Sequence, residues 1–144
     1  LFGYIVTATL ENLNVKADIV LETSSKLNYI AGGIVAYNIG SDIINCGFGG
    51  SYSVVNTINE ENMALHLGGI CGFMQSYSPD YTASISYCRV DGTLASSGDY
   101  PLYNVGGIAG ASYGASVAVA ASVYNCSFNG EISGKIQNAG GIVG

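Results

Sequence analysis

The stretch Gly32-Gly33-Ile34-Val35-Ala36, followed by Ile43-Ile44-Asn45-Cys46-Gly47-Phe48-Gly49-Gly50, decides the fold, because both halves recur in the same order. A double glycine followed by Ile returns at Gly68-Gly69-Ile70, Gly106-Gly107-Ile108 and Gly140-Gly141-Ile142, in steps of 36, 38 and 34 residues. A small residue stands two places after each Ile: Ala36, Gly72, Gly110 and Gly144. Leu1-Phe2-Gly3 fits the same pattern without its two glycines. The second half reads apolar-x-x-Cys-x-φ-x-Gly, with φ apolar or aromatic, and returns over residues 85–92 and 123–130. Residues 10–17 are a degenerate copy, with Leu13 for the Cys and Ala17 for the Gly. Two motifs recurring in fixed order define a structural repeat.

Alternation within the second motif predicts strands. Leu13, Val15, Ala17 and Ile19 share one face, and Asn14, Lys16 and Asp18 the other. The equivalent apolar faces are Cys46, Phe48, Gly50, Tyr52; Cys88, Val90, Gly92, Leu94; and Cys126, Phe128, Gly130, Ile132. A period of two with one apolar face is a half-buried strand. A unit this small cannot bury that face alone, and stacking like units solves the problem. The expected fold is all-β: a right-handed parallel β-helix of about four stacked repeats, over residues 1–31, 32–67, 68–105 and 106–139, with the next beginning at 140–144. Its interior ladders would be Leu13, Cys46, Cys88, Cys126 and Val15, Phe48, Val90, Phe128. Asn12, Asn45 and Asn125 stand just before the Cys position, where Asn suits turn geometry, and Tyr87 breaks that series. The rival architecture is a propeller, but kelch-type blades run to about 50 residues.

Composition supports stacking. Charged residues make up 10% of the 144, against roughly 25% in an ordinary domain. Hydrophobic residues reach 49%, which excludes a charge-rich disordered chain. With 2 prolines and no Gly-X-Y period, the 21 glycines are not collagen-like. Ten acidic against 4 basic residues leave a net charge of −6, which excludes a phosphate-backbone binder: no nucleic acid is an expected partner. Residues 100–130 carry no formal charge but are too rich in Gly, Ser and Ala for a membrane span.

Chemistry-bearing constellations are sparse. His66 is the single histidine and has no nucleophile-elbow context, so no triad is expected. Cysteines occur one per motif, with Cys71 apart, and without the paired spacing of a zinc site. Small, apolar and often buried, they are expected as free thiols. The acids of the row Asp18, Ser51, Thr93, Glu131 stand about three coils apart, ~14 Å, too far for a glycosidase pair. Arg89 and Asp91 share a face as an ordinary surface pair. No calcium-binding spacing is present, so no metal, cofactor or catalytic residue is expected.

The repeats differ in length. From Ile to Cys there are 12 residues in the first complete copy and 18 in the next two. The variable stretches 37–42, 73–84 and 111–122 are expected to be projecting loops. So is an excursion over 53–67 that carries Glu60, Glu61 and His66. Such loops usually hold a repeat protein's binding surface. Tyr77, Tyr81, Tyr100, Tyr103 and Tyr113 fall outside the strand motifs and are the candidate ligand contacts, since tyrosine is a rigid amphipathic contact residue.

At this point the chain resembles the GLUG repeat. The runs Gly32-Gly33-Ile34-Val35-Ala36 with Ile43-Ile44-Asn45-Cys46-Gly47-Phe48, and Gly106-Gly107-Ile108-Ala109-Gly110 with Val123-Tyr124-Asn125-Cys126-Ser127-Phe128-Asn129-Gly130, carry the resemblance. Departures from the pattern are Ile in place of Leu, Tyr87 in place of Asn, and the degenerate Leu13 and Ala17. The resemblance implies a bacterial cell-surface or secreted protein, similar to adhesin-like proteins, and a fold like that of pectate-lyase-type β-helices. It brings no catalytic residue with it. The expected function is a non-catalytic scaffold or adhesion module, binding glycans or host proteins through its tyrosines. Flanking domains or further coils of a longer protein are its expected partners. The alternative is an accessory part of a secreted polysaccharide-active or proteolytic enzyme whose catalytic groups lie elsewhere. Ice binding is excluded for want of flat Thr ladders.

Overall fold

The computed structural model describes residues 1–23, 29–58, 65–116 and 118–144. They form sixteen strands, four to each turn of a right-handed parallel β-helix. The first coil holds β1 (Phe2–Val6), β2 (Thr9–Glu11), β3 (Asn14–Thr23) and β4 (Tyr29–Gly32). The second holds β5 (Val35–Ile39), β6 (Asp42–Ile44), β7 (Gly47–Asn56) and β8 (Leu65–Gly68). The third holds β9 (Cys71–Ser76), β10 (Ser84–Ser86), β11 (Arg89–Gly98) and β12 (Leu102–Gly106). The fourth holds β13 (Ala109–Gly114), β14 (Ser122–Tyr124), β15 (Ser127–Gly134) and β16 (Ile136–Gly140). Equivalent strands stack into four parallel sheets: A (β1-β5-β9-β13), B (β2-β6-β10-β14), C (β3-β7-β11-β15) and D (β4-β8-β12-β16).

Sheet C contains the long strand of each repeat. Val15, Phe48, Val90 and Phe128 pair in register there, as do Ala17, Gly50, Gly92 and Gly130. The core runs up the middle, with Ile34, Ile43, Ile70, Ile85, Leu94 and Ile108 at 0% exposure. Full burial of such a side chain contributes about 1.5–3 kcal/mol. Each coil therefore supplies its own share of the core, and the backbone bonds between coils do the lateral joining.

Close approach explains the recurrent glycines. A Cβ on Gly32, Gly68, Gly106 or Gly140 would sit 1.8–2.0 Å from the carbonyl oxygen three residues on, where the chain turns from sheet D into sheet A. A Cβ on Gly33 or Gly69 would lie 2.3 Å from the carbonyl of the matching glycine in the next coil, and against Phe48 or Val90. The double glycine is thus a corner followed by a contact with the interior ladder. Gly92 and Gly130 of sheet C meet the carbonyl of the preceding coil at 2.0 and 1.8 Å. Ala17 occupies the same row in β3, the strand at one edge of sheet C, so its methyl has no preceding carbonyl among the described residues to meet.

The turn from sheet B to sheet C needs a left-handed residue. Asn12, Asn45, Tyr87 and Asn125 have φ of 60°, 51°, 55° and 53°. Asn adopts this region more readily than other non-glycine residues. The Nδ2 of Asn45 donates to Oδ1 of Asn12 at 2.7 Å, so two of these asparagines stack. The cysteine that follows turns inward and serves the same corner. The Cys46 amide donates to the Cys88 sulfur, and the Cys88 amide to the Cys126 sulfur, both at 3.4 Å. Each thiol in turn donates to the carbonyl two residues earlier, Ile44, Ser86 or Tyr124, at 3.2–3.3 Å. All four cysteines are free.

All three expected loops are shorter than the sequence suggests: in 37–42, β5 runs to Ile39 and β6 starts at Asp42, which leaves only Gly40 and Ser41 between them. The stretches 73–84 and 111–122 open with strands β9 and β13, so the parts outside strands narrow to 77–83 and, among the described residues, 115, 116 and 118–121. The expected excursion over 53–67 also shrinks, because β7 extends to Asn56 and β8 starts at Leu65. The period of two is hard to see in these segments because polar residues take inward positions, Asn56 and Ser76 among them. Glu60 and Glu61 lie outside the described residues.

Candidate functional site

Sheet A and its corner with sheet B carry most of the exposed aromatic surface. Tyr4, Tyr37 and Phe73 occupy one register row on β1, β5 and β9. Their rings pack edge to face, with centroids 5.3 and 5.2 Å apart and interplanar angles of 83°. Stacking coils at strand spacing brings the rings together, and the perpendicular geometry is the favourable one for aromatic quadrupoles. His66 closes the row from sheet D, its ring 5.3 Å from that of Phe73. The Tyr37 hydroxyl donates to Oε1 of Gln75. Burial, followed by the neighbouring Tyr77 phenol, raises the Tyr37 pKa above its ordinary value.

The two longer coils insert residues at the same corner and fold them alike. In the third coil Ser78 bridges Tyr81, and the Tyr81 amide donates to the Ser78 carbonyl at 2.9 Å. In the fourth, Ser116 bridges Val119 with the same bond at 2.9 Å. The first loop lies back across the second coil, since a Cβ on Gly40 would be 3.0 Å from Cβ of Tyr81. Beneath the loops the corner is polar and satisfied: Asn38 Nδ2 donates to the Ser41 carbonyl, and the Ser41 amide donates to Asn38 Oδ1, each at 3.0 Å. The Ser76 hydroxyl accepts the Ala83 amide at 2.8 Å. The loops therefore stand on a rigid base.

Tyr77, Tyr81 and Tyr113 are 54%, 51% and 51% exposed. Tyr77 and Tyr81 flank the turn, and the Tyr77 amide donates to the Tyr81 carbonyl at 3.2 Å. Tyr113 belongs to strand β13 rather than to a loop, and pairs with Gln75, two residues before Tyr77. Tyr100 and Tyr103 are placed elsewhere. Tyr100 follows the sheet C strand, its amide donating to the Asn56 carbonyl at 3.2 Å, and Tyr103 lies in β12 of sheet D. The structure thus groups three of the five tyrosines and separates the other two.

His66 is likewise not a loop residue. It sits in β8, 9% exposed, in register with Ile30 on one side and Asn104 on the other. Asn104 Nδ2 donates to His66 Nδ1 at 3.1 Å, and Asn138 Nδ2 donates to Asn104 Oδ1 at 2.9 Å. Burial lowers the His66 pKa. No nucleophile or carboxylate bonds to this ring among the described residues, and no group of three or more His, Cys, Asp or Glu among them is placed to hold a metal ion.

On sheet C the outward rows are Asp18, Ser51, Thr93, Glu131 and Lys16, Gly49, Asp91, Asn129. Asp18 accepts the Ser51 hydroxyl at 2.7 Å and its amide at 2.9 Å, which holds its pKa below the usual value. Arg89 and Asp91 form a two-point pair, and the hydrogen bond from Arg89 is the main cause that lowers the Asp91 pKa. The thiols of Cys46, Cys71 and Cys88 are buried, and Cys126 at the end of the ladder is half-buried. Contact with the Cys126 sulfur and burial push the Cys88 thiol up, and burial pushes Cys71 up to about 12, so neither is a nucleophile at neutral pH.

The aromatic row on sheet A is absent from the sequence reading. A signal for it exists: Tyr4, Tyr37 and Phe73 each stand three places after the first apolar residue of the GGI-type motif. Phe73 reads as a loop residue in sequence because the insertion that follows it obscures the strand.

No helix of the described residues is long and apolar enough to cross a membrane. A family model described as the GLUG motif matches residues 102–133. The matched segment runs from β12 through the second loop into β15 and includes Gly106-Gly107-Ile108 and Asn125-Cys126. No curated protein and no solved structure matches the chain.

Proposed function

We propose that this chain is a non-catalytic recognition scaffold of a bacterial cell-surface or secreted protein, and that it contacts carbohydrate through Tyr77, Tyr81 and Tyr113. One observation carries the reading: two adjacent coils insert the same small turn at the same corner, and half-exposed tyrosines border it. Solenoids commonly place binding surface in such per-repeat insertions. Tyrosine offers a flat apolar face for a sugar ring and a hydroxyl for its substituents. The satisfied corner beneath keeps the loop in place, which lowers the entropy cost of binding. The GLUG match supports surface or secreted placement. On this reading the whole of 1–144 is one solenoid unit, with repeats near 1–31, 32–67, 68–105 and 106–139, working beside other parts of its protein.

Binding of the chain to an array of bacterial, plant and host glycans at two salt concentrations tests the proposal. Saturable, salt-tolerant binding should disappear in a Tyr77→Ala, Tyr113→Ala double variant that still folds. Undiminished binding by that variant would remove these tyrosines from the site. Absence of binding by the folded parent would leave a spacer.

A further inference from the structure

A second feature lies on the outer face of sheet C, away from the aromatic corner. At two successive outward positions the second coil has no side chain. One row is Asn14, Gly47, Arg89, Ser127, and the next is Lys16, Gly49, Asp91, Asn129. The close stacking that accounts for Gly92 or Gly69 is missing here. A Cβ on Gly49 would meet nothing nearer than the Asp91 carbonyl, at 3.6 Å, which is ordinary contact. A Cβ on Gly47 would meet the amide oxygen of Asn14 at 2.3 Å, the end of a side chain that can rotate aside. Neither residue has a positive φ. Their register partners all carry side chains, so the backbone does not demand glycine. Glycine inside a strand weakens it, and it marks places where another group comes close.

The missing side chains open a hollow of about 210 Å³, lined by Asn14, Val15, Gly47, Phe48, Gly49, Arg89 and Asp91. Sites for drug-sized ligands run to roughly 300–1,000 Å³, so this one suits a single small unit. Its polar rim is held in advance. Arg89 Nη2 donates to Asp91 Oδ1 at 2.8 Å, and Nε lies 2.5 Å from Oδ2. Asn129 Nδ2 donates to the same carboxylate at 3.2 Å. Arg89 keeps further N–H donors, and Asp91 keeps lone pairs. The backbone groups of β7 are taken up by β3 and β11, so an extended peptide cannot add as a strand. The charge of Arg89 is matched by Asp91, and Lys16 lies beside Asp18.

We infer that this hollow is a subsite for one pyranose unit of a neutral glycan. The apolar face of the ring rests on the bare backbone of Gly47 and Gly49. Adjacent hydroxyls bond to the Asp91 carboxylate, the Arg89 guanidinium and the Asn14 amide. A side chain at Gly47 or Gly49 would occupy that space. The site is independent of the loop tyrosines, and either can exist without the other.

The test is a titration of the ¹⁵N-labelled chain with neutral tetrasaccharides of glucose, mannose, galactose and N-acetylglucosamine, with an extended hexapeptide as the contrast. At least one sugar should shift the Gly47, Gly49 and Arg89 amides saturably. Gly49→Asn places in the hollow the side chain that Asn129 carries in the same row, so it should fold, and it should weaken binding by about tenfold or more. Arg89→Ala should do the same. The inference is overturned if no sugar shifts Gly47 or Gly49, if only the peptide does, or if Gly49→Asn binds as well as the parent. Shifts confined to Tyr77 and Tyr113 would uphold the loop site and remove this one.

Discussion

Gly92→Ala tests the stacking directly. Gly92 lies in the middle of sheet C, and its added Cβ would be 2.0 Å from the Gly50 carbonyl oxygen, 3.0 Å from its carbon and 3.1 Å from its nitrogen. Its φ is not positive, so the effect is one of space and not of backbone conformation. Reaching even the 3.0 Å limit of real Cβ contacts requires the coils to part locally by about 1 Å. Hydrogen bonds that lengthen by this much are lost. Two flanking backbone bonds at about 1 kcal/mol each, with about 1–3 kcal/mol for overpacking, give a loss of about 3–5 kcal/mol. That is a large share of the roughly 5–15 kcal/mol of a whole domain. Urea unfolding followed by far-UV circular dichroism measures it. Gly49→Ala is the matched control, with its Cβ 3.6 Å from the nearest atom, and it should be neutral or stabilising by up to about 1 kcal/mol. If Gly92→Ala and Gly49→Ala unfold at the same urea concentration, the close-stacking account of the glycine rows is wrong.

Two further outcomes follow from the corners and from His66. Tyr87→Asn relieves a left-handed aromatic residue and completes the asparagine series, so the urea midpoint should rise by the equivalent of about 1 kcal/mol; a fall would mean that the ring contact with Tyr124, 6.1 Å between centroids, outweighs the strain. Because burial lowers the His66 pKa, the unfolded chain takes up this proton first as pH falls. The histidine's contribution is then fully present above its unfolded pKa of about 6.5 and is lost as pH falls from there through the lower folded value. Thermal melts of the parent and of His66→Asn between neutral and mildly acid pH should diverge in that window. Parallel curves would remove His66 as the source.

Much of the fold is legible in the sequence, for a physical reason. Parallel coils in register place each residue over its counterpart, so a close approach that calls for glycine in one coil commonly recurs in the next. Gly68-Gly69 and Gly106-Gly107 announce the same corner, and Cys46, Cys88 and Cys126 the same inward turn. The tyrosine cluster was legible only in part. Tyr77 and Tyr81 read as loop residues outside the strand motifs, and they lie outside the strands, whereas Tyr103 and Tyr113 prove to be strand residues on different sheets. His66 reads as part of an excursion because the residues before it break the repeat, yet β8 takes it back into register beside Asn104.

The sequence by itself determined the repeat, the apolar face that each coil stacks and the low charge of the chain, since these depend on residue type and spacing along the chain. Only the tertiary structure decided which side chains meet across coils. The Tyr4, Tyr37, Phe73 row joins residues from three coils, and the hollow at Gly49 needs Asn14 from one neighbouring coil and Arg89 from the other. Spacing gives a residue's position within its coil. Where a side chain is missing, and what walls the gap, depend on the coils on either side.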